Sequence, residues 1–299
     1  MAFSMHSHSG QFCPGHAKDV LEQIIQTAIA RGMTTFGLTE HMPRDSEKDL
    51  YPEEESIAPL APRHQAYLLE AQRLREKYAD QITLLIGFEG EYIRPSYGPF
   101  IKELAADPAV DYFIGSVHHV HEIPIDYDKK LYSAAREKAG GSDERFFEDY
   151  FDLQYEMLKE LKPRVVGHFD LIRLLAEDPG RDLRDWKGVW EKVERNLKVI
   201  VEQGGLMEIN SAGLRKGLKE PYPMRCVVEK YLEMGGMLTL SDDSHGIDQV
   251  GTCYAATIGY IESFGVVDVW TLEGKGGVST KEVKVKKVAL KSVRETFKP

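Results

Sequence analysis

Residues 82–89 read ITLLIGFE, an apolar run closed by a single acid. A stretch this short, rich in branched aliphatic residues, is a candidate buried strand, and an ionisable group at its last position calls for a partner. The pattern recurs on both sides. Strand candidates at Thr34–Thr39 (TTFGLT), Ile82–Phe88, Asp111–Val117 (DYFIGSV), Arg164–Gly167 (RVVG), Leu206–Ile209 (LMEI), Met237–Leu240 (MLTL) and Val267–Thr271 (VDVWT) alternate with amphipathic stretches. The spacing predicts helices over Lys18–Arg31, Arg63–Tyr78, Phe100–Ala106, Asp143–Leu161, Trp186–Gln203, Met224–Met234 and Tyr254–Phe264. Such alternation argues for βα units around a parallel sheet, and about seven units favour a closed α/β barrel over an open sheet. Two polar connections, Met42–Pro62 and Glu122–Ser142, follow strand ends and are expected to lie as loops over the barrel face that carries active sites.

The bulk properties fit this reading. A chain of 299 residues, 42% hydrophobic and 29% charged, can bury one large barrel core or two ordinary ones. A net charge of −10 gives it no general attraction to nucleic acid or to anionic membranes. Cys13, Cys226 and Cys253 are widely spaced and lack CxxC, so neither a disulfide framework nor a thiolate zinc knuckle is indicated. The opening MAFSMHSHSGQF lacks the basic and apolar regions of a signal peptide, and a cytosolic protein is expected. The last 26 residues carry eight Lys/Arg against two Glu, which leaves the preceding body at −16. Residues 274–299 are therefore expected to form a solvated basic tail on a barrel made by residues 1–273.

The chemistry sits at the strand ends. His6 and His8 form H-x-H, and in extended backbone two residues so spaced project from one face, so both imidazoles can reach one cation. His41 follows TTFGLTE, Glu89 closes ITLLIGFE, His118 follows DYFIGSV and His168 follows RVVG. Asp243 and His245 make D-x-H beyond MLTL, and His16 lies in a CPGH loop. In a parallel barrel the C-terminal strand ends share one rim, so residues far apart in sequence converge there. Seven histidines with Glu89 and Asp243 offer N/O ligands without thiolate, a set suited to Zn, Mn or Fe. Nine ligands exceed what one ion uses while keeping a place for water, so two or three ions are expected. His64, His119 and His121 fall outside the pattern and read as ordinary core or surface residues.

Rival phosphoryl chemistries lack their residues. Six positions after the three cysteines stand Asp19, Leu232 and Gly259, not the arginine of a C-x5-R loop. Arg63-His64-Gln65 is not RHG, Asp126-Tyr127-Asp128-Lys129 lies in a predicted loop, and GKGGVST at 274–280 lacks the final Gly-Lys-Ser/Thr order of a nucleotide loop. G-x-S-x-G is absent as well.

The ordered motifs HSH (6–8), TEH (39–41), GFE (87–89), GSVH (115–118), GHFD (167–170) and SDDSH (241–245) resemble those of the polymerase and histidinol phosphatase (PHP) superfamily. The chain looks most like the histidinol-phosphatase branch through CPGHA (13–17), GHFDL (167–171) and NSAGLR (210–215). This resemblance implies a distorted (β/α)7 TIM-like barrel of α/β class, with its active site at the C-terminal ends of the strands and three divalent ions. By position, His6, His8, Glu89 and Asp243 would hold the first ion; Glu89, His118 and His168 the second; His16, His41 and His245 the third. The implied reaction is hydrolysis of L-histidinol phosphate, a small phosphorylated amino alcohol of histidine biosynthesis, by a hydroxide bridging two ions. Glu89, Asp243, His245 and Arg215 would be catalytic, and Arg173 and Arg215 would clamp the phosphate. Glu91, Tyr92 or Phe12 are candidates for the ammonium and imidazole. Glu40 and Asp242 depart from the usual motif, and Glu40 could alter the hydrogen bonding behind His41. Other small phosphoesters, or a catalytically silent scaffold, are the alternatives; with all nine ligand positions filled, the scaffold is the weaker of the two.

Overall fold

The computed structural model describes residues 1–54, 56–274 and 283–297. β1 (Ala2–Ser4), α1 (Leu21–Ala30), β2 (Met33–Leu38), α2 (Leu60–Lys77), β3 (Thr83–Glu91), α3 (Tyr97–Ala105) and β4 (Tyr112–Ser116) set the alternation. The second polar connection is more than a loop: it holds β6 (Ile123–Pro124), which forms a small hairpin with β5 (His119–Val120) just before it, and a helix, α4 (Lys129–Lys138). α5 (Asp143–Leu161), β7 (Val165–Val166), α6 (Lys187–Gln203), β8 (Leu206–Asn210), the one-turn α7 (Ala212–Arg215), α8 (Arg225–Glu233), β9 (Met237–Ser241) and α9 (Tyr254–Glu262) come next. A hairpin of β10 (Asp268–Glu273) and β11 (Lys284–Ala289) and a final α10 (Leu290–Thr296) follow.

Seven strands lie in the order β1-β2-β3-β4-β7-β8-β9, all parallel. The two edges then meet. Met5 N–H donates to the Leu240 carbonyl at 3.1 Å, Asp243 N–H to His6 at 3.1 Å and His8 N–H to Ser244 at 2.8 Å, so the sheet curls into a nearly closed barrel. α5 shows why the helices form. Ser142 caps it by accepting from Arg145 N–H at 3.3 Å, Asp143 and Glu144 occupy the first turn, and Phe147, Tyr150, Phe151, Gln154 and Leu158 make the buried stripe. Below the rim Tyr112 reaches across the strands. Tyr112 donates to the Met5 carbonyl at 2.6 Å, and a Cβ on Gly37 would overlap its hydroxyl, so that position must be glycine.

The seventh barrel strand is not the one the sequence pattern selects. Val267–Thr271 falls largely in β10, which pairs antiparallel with β11 outside the barrel, and Ala2–Ser4 takes the barrel position instead. Three residues are too few to show a period, so the local sequence does not mark β1. A boundary at 273/274 falls inside the β10–β11 hairpin. β11 and α10 pack on the rest of the fold, with Ser292 Oγ 3.4 Å from the Met1 carbonyl and Phe297 edge-on to Tyr254 at 4.8 Å. Residues 275–282, and with them most of GKGGVST, lie outside the described part. Among the described residues no helix is long and apolar enough to cross a membrane.

Candidate metal centre and active site

β3 delivers Glu89 to the barrel rim, where the register of its neighbours surrounds it with imidazoles. Glu89 Oε1 lies 2.9 Å from His168 Nε2 and 3.4 Å from His118 Nε2. Its Oε2 lies 3.1 Å from His41 Nδ1, 3.4 Å from His6 Nε2 and 3.6 Å from His8 Nε2. His41 reaches it because the β2 ladder continues past Leu38: Glu89 N–H donates to Glu40 at 3.0 Å, and Met42 N–H to Glu89 at 3.1 Å. From the far side, Asp243 Oδ1 sits 3.3 Å from His8 Nε2, 3.6 Å from His245 Nδ1 and 3.7 Å from His6 Nε2.

Three groups of donor atoms lie within 4.8 Å of one another: His6, His8 and Glu89; Glu89, His118 and His168; and His8, His41 and His245. The Nε2 atoms of His6, His8 and His41 are buried without a hydrogen-bond partner. An unpaired buried nitrogen costs about 1–3 kcal/mol, and a divalent cation would remove that cost. Behind the rings the opposite nitrogens are held: His6 Nδ1 by Glu208 Oε1 at 2.8 Å, His41 Nδ1 by Glu91 Oε1 at 3.1 Å, His245 Nδ1 by the Asp243 carbonyl at 2.9 Å. Acceptors placed there fix an Nδ1–H tautomer and leave Nε2 as the ligand atom. The residues present fit a multinuclear N/O site.

The electrostatics agree. Burial opposes ionisation of Glu89, but the nearby imidazoles, His118 and His6 foremost, outweigh it and hold the carboxyl well below the usual range. Burial likewise opposes ionisation of Asp243, and His6 and His8 reverse the balance. Burial and the neighbouring His41 push His8 down to about 3, so this ring is neutral and its lone pair is available. Cys13 lines the same cavity, but burial pushes its thiol up to about 11, which removes it as a thiolate ligand at neutral pH.

The remaining candidate residues divide between those near the cluster and those turned away from it. His16 stands at the rim, its ring 4.8 Å from His245 and 5.1 Å from His41, half-exposed and 3.4 Å from Glu53 Oε1. Arg215 turns to the main chain, donating to the Asp242 carbonyl at 2.8 Å and the Asp243 carbonyl at 2.7 Å. It thereby holds Asp243 in its left-handed conformation, φ 49°. Arg173 is buried in a cage: Nε bonds Asp170 at 2.8 Å, and its terminal nitrogens bond the carbonyls of Pro179, Glu220 and Pro221. Neither guanidinium points at the cavity in this arrangement, and helix position alone could not show where they turn. Glu91 is wholly buried behind His41 and His118 and is not a contact for an ammonium; Tyr92 donates to Glu160 at 2.8 Å, away from the site. Phe12 does line the cavity. Glu40 bonds Ser9 instead of His41, through N–H at 3.1 Å and hydroxyl at 2.5 Å.

The cluster forms the floor of a cavity of about 300 Å³. Its wall carries the cations Arg44, Arg63 and Lys216 and the acids Glu53, Glu54 and Asp126. The sequence reading passed over Glu208, although an acid inside the apolar strand LMEIN carries the same signal as Glu89 in ITLLIGFE. Arg44 and Lys216 carry no such mark.

A family model described as PHP domain matches residues 4–212. The "Probable histidinol-phosphatase" of Schizosaccharomyces pombe is 45% identical over 301 residues, covering 99% of this chain and 97% of that protein. The histidinol-phosphatase of Saccharomyces cerevisiae is 34% identical, with 90% and 89% covered. In three dimensions the chain resembles the histidinol phosphate phosphatase of Lactococcus lactis subsp. lactis, solved with zinc, L-histidinol and phosphate. The TM-score is 0.71 at 18% identity, covering 95% of this chain and 98% of that one, a likeness of fold. Taken with the histidine–carboxylate cluster at the strand ends, these matches show that the chain belongs to the PHP domain family, in its histidinol-phosphatase branch.

Proposed function

We propose that this protein is a metal-dependent phosphomonoesterase that hydrolyses L-histidinol phosphate to L-histidinol and inorganic phosphate. The observation that carries the reading is Glu89, shared by five imidazoles and lining a cavity. The full-length similarity to two yeast relatives named for this activity supports the substrate, as does the ligand set of the L. lactis structure. The donor groups support a reading with three ions. His6, His8, Glu89 and Asp243 would hold one, Glu89, His118 and His168 a second, and His41 and His245 a third, with His16 completing it from the rim. Nitrogen and carboxylate donors suit Zn, Mn or Fe.

When bound, such ions acidify water and neutralise charge on a phosphoryl group. The chain's own residues do the rest. Glu89 and Asp243, held ionised, supply the negative charge that gathers the cations. Glu208 and the Asp243 carbonyl fix the rings of His6 and His245. Lys216, on the cavity wall, is placed to meet a phosphate, and Glu53 and Asp126 give an ammonium its counter-charge. Tyr51 and Tyr127, stacked at 5.9 Å, bring the two insertions together and limit access of water. Three free cysteines support a reducing, cytosolic setting.

The test is a side-by-side panel of L-histidinol phosphate, p-nitrophenyl phosphate, a sugar phosphate and phosphotyrosine, with protein stripped of metal and reloaded with Zn, Mn or Fe. L-Histidinol phosphate is expected to lead in kcat/KM by about tenfold or more, with activity lost on stripping. A higher value for another ester rejects the substrate. Silence towards every ester under every metal rejects the enzyme.

A further inference from the structure

Two carboxylates stand behind the imidazoles, and they are held in different ways. Glu208 is fixed by barrel neighbours, accepting from Asn210 at 3.1 Å and from the His168 N–H at 2.7 Å. Glu91, two residues beyond Glu89 on β3 and fully buried, is held from outside the barrel. Its Oε1 lies 2.6 Å from Arg44 Nη1 and 3.1 Å from His41 Nδ1. Its Oε2 lies 3.3 Å from the Tyr51 hydroxyl and 3.4 Å from His118 Nδ1. One carboxylate therefore faces the rear of two rings from two strands, and both of its other partners come from the connection between β2 and α2.

That connection is docked. Arg44 is buried with its guanidinium 4.8 Å over the Tyr51 ring. Asp49, buried in the same segment, accepts two hydrogen bonds from Arg94 at 2.7 Å each and one from Tyr97 at 2.8 Å. A carboxylate out of water needs a compensating charge, and the buried guanidinium beside Glu91 supplies it as an ion pair. We propose that Arg44 and Glu91 are a positioning pair for the metal centre: Arg44 holds Glu91 so that its two oxygens orient the rings of His41 and His118 towards the ions. The β2–α2 connection is then part of the metal site as well as a wall of the substrate cavity. This rests on the metal reading above, and not on the identity of the substrate.

The experiment measures metal binding. Wild type, Glu91→Gln, Arg44→Met, Arg44→Lys and Tyr51→Phe are stripped and titrated with Co2+ against a chelator of known affinity, while the visible Co2+ absorption is recorded. Glu91→Gln and Arg44→Met are expected to bind about 10–100-fold more weakly, with an altered spectrum. Arg44→Lys keeps the charge and should recover part of the loss. Tyr51→Phe, which removes one hydroxyl and no charge, should show a smaller shift in the same direction and gives an answer even if a charge variant fails to fold. Unchanged affinity and spectrum in Glu91→Gln or, where that variant does not fold, in Tyr51→Phe overturn the positioning role while leaving the metal reading intact. A wild type that takes up no ion overturns both.

Discussion

Replacing Arg173 with methionine separates a structural role from phosphate binding. The guanidinium is 3% exposed and pairs with Asp170, whose carboxylate is fully buried and also accepts from Met224 N–H at 2.8 Å. Methionine fills much of the stem volume but supplies none of the donors to Asp170, Pro179, Glu220 and Pro221. It also removes the cation 5.2 Å over the Tyr222 ring. Breaking a buried ion pair by deleting one partner costs about 3–5 kcal/mol, because the other charge stays buried and unpaired. With a urea m-value of about 3 kcal/mol/M for a chain of this size, the unfolding midpoint should fall by roughly 1–1.7 M. The assay is urea unfolding followed by circular dichroism, with Michaelis kinetics run on the folded enzyme. KM should change by less than about threefold, since the guanidinium does not face the cavity. Arg173→Met/Asp170→Asn should recover part of the stability by removing the stranded charge. Wild-type stability together with a KM raised about tenfold or more would refute this account and return Arg173 to the phosphate.

Two other outcomes follow from the same geometry. Glu89→Gln keeps shape and removes the shared charge, so bound metal should drop and kcat/KM fall about 100-fold or more with the fold retained; a full metal complement in this variant would contradict the hub role. His64, packed against Tyr67 and Phe88 with neither ring nitrogen hydrogen-bonded, is pushed by burial from 6.5 down to about 4. The unfolded chain takes up a proton near pH 6.5 while the folded chain resists until about 4, so the neutral ring's contribution is complete above 6.5 and is lost as pH falls through that window. The loss is about 3 kcal/mol, and His64→Leu should flatten that part of the stability profile in urea titrations at pH 7 and 4.5; equal slopes in the two proteins would disprove it.

Much of the centre was legible because its signal is local and repeated. An acid or imidazole at the end of an apolar run is costly unless something beyond the run compensates it, and that cost recurs at Glu89, His118, His168 and Asp243. Glu208 obeys the same rule two positions before its strand ends, and could have been read the same way. Arg44 could not. Its importance comes from a docking of the β2–α2 connection that no periodicity records, and its partner Glu91 lies 47 positions away.

The sequence by itself determined the α/β alternation, the positions of seven helices to within about three residues, though not α4, α7 or α10, and a set of nitrogen and carboxylate donors expected at one rim. These are properties of short segments, where side-chain period and strand-end position are written directly in the order of residues. Only the tertiary structure decided that Ala2–Ser4 completes the barrel, that Arg173 and Arg215 turn to the main chain, and that Glu91 backs two metal-facing rings. Each of those outcomes depends on contacts between elements distant in sequence, such as Met5 with Leu240. A side chain's direction is fixed by which partners closure of the barrel brings within reach, and local propensity holds no record of them.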